Sequence, residues 1–112
     1  PTENEWEYTA RGGAGGDTKT YAGSNNIDLV AWYNVNSGDK THPVAQKQSN
    51  ELGIFDMSGN VWEWTNSTDD SYMVSCGGSW ASLYYKCEVD ESNSYDTDDT
   101  YYNLGFRPAR TK

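Results

Sequence analysis

The sequence predicts a small α+β domain, and three observations predict it. A capped helix opens the chain, a dense apolar block further on ends in the alternation of a strand, and the long connections are rich in Gly, Asn, Asp, Ser and Thr. With 112 residues the chain holds one domain, 1–112, and a modest core. Aliphatic residues are few, whereas five Trp, nine Tyr and two Phe supply rings that each bury a large area. The core is therefore expected to be built around tryptophan.

The helix comes first. Thr2-Glu3-Asn4-Glu5 fits a capping box, in which the Thr2 hydroxyl and the Glu5 carboxylate each satisfy an orphan backbone donor. The helix should run from there to about Arg11, with Trp6 and Ala10 four apart on one face and Gly12-Gly13 as its stop. Residues 12–50 then read as loop with short ordered pieces, and the apolar group at 27–33 argues against a disordered linker. The densest apolar block, 52–64, should form the centre of the core, with Asn60, Trp62 and Trp64 alternating against Val61 and Glu63 so that the tryptophans face inward. A second strand is expected at Tyr72–Cys76 and a third near 104–108. No internal repeat is visible.

Composition excludes some functions. A formal net charge of −9 repels phosphate backbones and anionic membrane surfaces, so nucleic acid is not an expected partner. No run approaches the roughly 18 apolar residues of a membrane span, which leaves membrane association to an anchor outside this chain. Cys76 and Cys87 are too few for a disulfide scaffold and lack companions at metal-ligand spacing. A bridge between them and two unpaired thiols, with Cys87 buried, both stay open.

Three blocks together resemble the formylglycine-generating-enzyme, or sulfatase-modifying-factor, family: PTENEWEYTARGG at 1–13, ELGIFDMSGNVWEW at 51–64, and GGSW at 77–80 followed by LGFR at 104–107. The resemblance implies a variant of the C-type-lectin-like fold, with a small antiparallel sheet, few helices and much irregular loop. The family's part upstream of the PTE motif is missing, which implies the C-terminal portion of a larger protein. In catalytic members two cysteines after the GGSW-type motif bind copper as thiolates, and the matching positions here are Ser82 and Cys87. A serine hydroxyl is a poor ligand for soft Cu(I), so the resemblance implies no enzyme and no cofactor. Cys76 stands where the family more often has arginine. Iron-dependent sulfoxide synthases of the family need a histidine cluster, and His42 is the only histidine. Catalytic relatives also bind calcium near the segment matching Asn60 and Glu63. The other reading of Glu63 is a buried carboxylate that ties loops together, with Arg107 expected to meet backbone carbonyls or an acid.

Between the GGSW and LGFR blocks, residues 81–103 have a character of their own. Five tyrosines, six acids and a single base, Lys86, lie among Ser, Asn and Thr. Tyrosine offers a large amphipathic ring at low rotamer cost, and Ser and Asn adapt their hydrogen bonds, so this composition suits a contact surface. Most of these residue types arise by changing adenines in an AAC or AAT codon. Fixed ends, a retained Cys87-x-Val89 and such an interior resemble the variable region of diversity-generating-retroelement proteins of the Treponema variable protein type, which are surface lipoproteins.

By that pattern the variable, ligand-binding positions are Ala81, Ser82, Leu83, Tyr85, Asn93, Ser94, Tyr95, Asp96, Asp98, Asp99, Tyr101, Tyr102 and Asn103, with Tyr84 and Asp90 less secure. Lys86, Glu88 and Glu91 do not arise from AAC or AAT by adenine change alone. The resemblance implies a non-catalytic surface receptor or adhesin for a protein or other macromolecular ligand, on a bacterial outer membrane. A tyrosine-rich, negative surface favours a basic or amphipathic target, and Trp62, Trp64 and Trp80 are expected to pack beneath it. The alternatives are a copper-dependent oxidase of the parent family and a calcium-dependent lectin or pseudoenzyme.

Overall fold

The computed structural model describes residues 1–16 and 18–110. Helix α1, Glu3–Ala10, starts at the expected capping box: the Thr2 hydroxyl accepts from the Glu5 amide at 3.3 Å and the Glu5 carboxylate accepts from the Thr2 amide at 2.8 Å. Trp6 and Ala10 are its buried face, and Gly12, at φ 91°, turns the chain out of the helix.

The long stretch that follows is irregular apart from a 3₁₀ turn at Gly13–Gly15 and a one-turn helix α2, Ile27–Val30, capped by Asn26. It is held by side chains that stand in for backbone partners. The Asn50 amide donates to the carbonyl of Thr9 at 2.7 Å while its oxygen accepts from Leu52 and Ile54, and the Asn60 side chain exchanges two bonds with the backbone of His42. This accounts for buried Asn60 in the 52–64 block, and the Ser58 hydroxyl there likewise accepts from the Ala22 amide and donates to the Cys87 carbonyl. Met57 and Trp62 are buried there, but Leu52 and Phe55 face out, so only part of the block is core.

Strands β1, Trp62–Asp69, and β2, Tyr72–Cys76, form an antiparallel hairpin whose register shifts between Trp64 and Thr68. Strand β3, Ser92–Tyr95, pairs antiparallel with β2, and β4, Leu104–Phe106, pairs with β1, giving the order β3-β2-β1-β4. The fold class is as expected, with one departure from an antiparallel sheet: β4 runs parallel to β1. The chain leaves β3 at one edge and returns to the opposite edge through residues 96–103, a crossover that parallel pairing requires. Sequence reading had also not foreseen β3, which lies inside the 81–103 segment.

Two buried clusters form the core, one around Trp6 with Met57, Val74, Cys76 and Val89, the other around Val30 with Tyr21, Tyr33 and Cys87. The two cysteines sit in different clusters, both buried and both unpaired, so the open question of a bridge resolves to free thiols. The tryptophan expectation needs correcting. Trp6 and Trp62 are buried, but Trp32, Trp64 and Trp80 are half-buried. Glu63 reaches the Trp6 indole on the helix side of β1, and alternation along the strand turns Trp62 and Trp64 to the opposite face. That outer face leads to the 81–103 segment.

Candidate binding surface

The segment begins at a turn that only glycines can make. Gly77 and Gly78 have φ of 98° and 71°, and a Cβ on Gly78 would lie 2.6 Å from the Cys87 sulfur. The turn delivers Ser79, fully buried, into a node that joins both ends of the segment. The Ser79 amide donates to the Ser82 hydroxyl at 2.9 Å, and the Ser79 hydroxyl accepts from the Asn103 amide at 3.2 Å. The carbonyl of Asn103 in turn receives the Trp62 amide at 2.7 Å, anchoring the far end to β1.

Between these ends, a 3₁₀ turn at Tyr84–Cys87 drives Cys87 into the second core cluster, and Val89 follows into the first. The tyrosines before Cys87 point out. Tyr84 and Tyr85 meet edge-to-face with centroids 5.6 Å apart, and Lys86 is occupied by Glu91 at 3.1 Å. In β3, Asn93 pairs with Ser75 and Tyr95 with Met73, which places them on the Trp64 face, whereas Ser94 pairs with buried Val74 and so turns to the core side. Tyr95 stands edge-on to Trp64 at 6.0 Å and packs against Tyr101 at 4.7 Å, so the crossover is pinned over the outer face of the sheet.

None of the thirteen sequence-predicted positions is buried. Ala81, Leu83, Tyr85, Asp96, Asp98, Asp99, Tyr101 and Tyr102 are exposed, and Ser82, Asn93, Ser94, Tyr95 and Asn103 are half-buried. The structure brings Ser82 to Asn103 through Ser79, and Tyr95 to Tyr101. Tyr85 packs on Tyr84 and has no ring contact with the Trp64 group among the described residues. Sequence reasoning missed Trp64 as part of this surface because it was assigned to the core. Phe106, 78% exposed and paired with Trp64 across β1 and β4, was likewise not singled out.

Beneath the sheet, Glu63 has the structural role that was one of its two readings. Its carboxylate accepts from the Trp6 indole at 2.8 Å and from Arg107 at 2.9 and 2.6 Å, while Arg107 also donates to the carbonyls of Phe55 and Asp56. Burial opposes the charged guanidinium, but the hydrogen bonds to Glu63 and the charges of Glu63 and Asp56 outweigh it and hold the Arg107 pKa above its ordinary value. A calcium ion does not fit Glu63 in this arrangement. Both carboxylate oxygens and the neighbouring carbonyls already face a cation, and the Asn60 side chain is spent on His42.

Copper fits no better. The Cys87 thiol is wholly buried, its pKa is pushed up to about 12 by burial, and the Ser82 hydroxyl is engaged with Ser79. Among the described residues no three His, Cys, Asp or Glu side chains come together as a metal site.

Comparison with known proteins agrees with this geometry. A family model described as "Sulfatase-modifying factor enzyme 1-like domain" matches residues 1–112. Among relatives, "Chaperone protein LppX" of Paenibacillus barcinonensis is 38% identical over 100% of this chain and 49% of its own length. "Inactive C-alpha-formylglycine-generating enzyme 2" of Bos taurus is 35% identical over 97% of this chain and 42% of its own. The chain therefore spans about half the length of the curated relatives it matches. Among solved structures, "Treponema denticola variable protein 1" superposes with a TM-score of 0.85 at 35% identity, covering 95% of this chain and 45% of that one. With its framework motifs in place along the whole sequence and this fold beneath them, the chain belongs to the sulfatase-modifying-factor, or formylglycine-generating-enzyme, family and has its C-type-lectin-like fold.

Proposed function

We propose that the chain is a non-catalytic binding domain whose 81–103 segment is a hypervariable surface rewritten by a diversity-generating retroelement. The observation that carries this reading is the burial pattern inside the segment. Cys87 and Val89 are buried as packing pins, while eight of the thirteen positions expected to vary are exposed and the other five only half-buried. Such a division lets contact residues change while the scaffold keeps its shape. Likeness to a solved variable protein and to an inactive relative supports the same reading. The family is named for an enzyme, and against catalysis here stand the serine at one copper position and the inaccessible thiol at the other.

The ligand is a macromolecule. The pockets described are lined by residues 1–9, 44–66 and 106–110, and none of them by the display segment. Exposed tyrosines among adaptable serines and asparagines offer the broad contacts that a macromolecular partner uses. The site of action is a bacterial cell surface.

Sequencing this gene from several isolates tests the proposal. Differences should cluster in 81–103 and spare Cys87 and Val89, and a reverse-transcriptase gene with an adenine-rich near-copy of the segment should lie nearby. Evenly scattered differences, with neither element present, would overturn it.

A further inference from the structure

Resting on that reading, one part of the surface specifies the class of partner. Three rings run in sequence across the outer face of the sheet. Trp64 is edge-on to Tyr95, with centroids 6.0 Å apart at 81°, and Tyr95 is tilted against Tyr101 at 4.7 Å. Trp64 and Tyr95 are half-buried and Tyr101 is exposed, so the strip is held from below and open above.

Beside the rings, residues 96–99 carry Asp96, Asp98 and Asp99, all exposed. Their carboxylates are ordered locally: Asp96 accepts from the Asp98 amide at 3.2 Å and Asp99 from the Tyr101 hydroxyl at 2.9 Å. No cation pairs with any of the three among the described residues, and Lys86, the segment's one base, is taken by Glu91.

We infer that this aromatic strip with its flanking carboxylates is a docking surface for a basic polypeptide segment, and that it selects arginine over lysine. A guanidinium stacks on aromatic faces and pairs with a carboxylate in the same pose, because it is planar and weakly hydrated. An ammonium is a compact, strongly hydrated point charge and gains less from rings. Polyanions are repelled. Trp64 lies outside the variable segment, so it is a constant anchor that the changing residues are read against.

The test uses the chain with labelled octapeptides of arginine, lysine or glutamate alternating with glycine, followed by fluorescence anisotropy at about 0.15 M salt. The arginine peptide is expected to bind at least about fivefold more tightly than the lysine peptide, and the glutamate peptide not at all. Asp98→Asn with Asp99→Asn should weaken arginine binding about tenfold. The control pair Glu7→Gln with Asp39→Asn, which removes the same charge away from the strip, should weaken it less than about twofold. Trp64→Leu should also weaken it, and the exposed aspartate pair keeps the test readable if that variant folds poorly.

Equal binding of the two basic peptides, an equal loss in the control pair, or no binding at all would each overturn the inference. These outcomes are separable from failure of the proposed function. Isolates whose differences concentrate in 81–103 while the basic peptides bind alike would remove only the partner class.

Discussion

Cys87 shows how much of this surface depends on residues that never reach it. Its sulfur fills the space that a side chain on Gly78 would need, and its ring of neighbours, Tyr21, Val30, Ala31 and Tyr33, keeps it out of solvent. Gly78→Ala should cost roughly 2–4 kcal/mol in urea unfolding, from the left-handed backbone and the contact with sulfur together. Burial pushes the thiols of Cys76 and Cys87 from 9.0 up to about 12. The folded state thus keeps both neutral where the unfolded chain ionises. Their contribution to stability is full below about pH 9 and is lost as pH rises toward about 12. Between about pH 8 and about pH 10.5 the urea midpoint should fall, and fall less in Cys87→Ala. Iodoacetamide at about pH 8 should label neither thiol until denaturant is added.

At the scale of elements, the Glu63–Arg107 pair joins β1, the residue after β4 and the 55–56 loop in one partly buried knot. Glu63→Gln keeps the shape and removes the charge that Arg107 is built around, so it should lower stability by about 2–4 kcal/mol, measured by thermal unfolding at neutral pH. Half-buried Glu7 pairs with Arg11 across one helical turn, and Glu7→Gln should cost no more than about 0.5 kcal/mol. Elements whose cause is local were legible. α1 carries its cap within four residues, and Tyr72–Cys76 is a short apolar-rich run bounded by the turn residues Asp69-Asp70 and Gly77-Gly78. β3 was not legible, because Ser-Asn-Ser-Tyr has little strand preference and is extended only by pairing with β2. The direction of β4 depends on where the crossover lands. Trp62 and Trp64 share a face as alternation requires, but that face is covered at Trp62 and only half-covered at Trp64, a tertiary difference that alternation does not carry, and this is why Trp64 was assigned to the core.

The whole molecule separates what is displayed from what holds it, and the candidate positions divide along that line more finely than composition could tell. Codon reasoning treats Ser82, Ser94 and Asn103 like Tyr102. The structure ties Ser82 and Asn103 to the buried Ser79 hydroxyl and turns Ser94 toward Val74, while Tyr102 is 97% exposed. Their side chains therefore bear on stability as well as on any contact. Replacing Leu83, Tyr85, Asp98 and Tyr102 together by serine should move the melting temperature by no more than about 3 °C, since exposed substitutions typically act within about 0.5 kcal/mol each and partly offset. Ser82→Ala with Asn103→Ala removes two hydrogen-bond partners from a buried hydroxyl and should lower it by about 5–10 °C in the same thermal melt. If the exposed quartet unfolds the protein as readily as the clamp pair does, side-chain identity in the segment is part of the core. Variation there could not then be tolerated, and the display surface would have no physical basis.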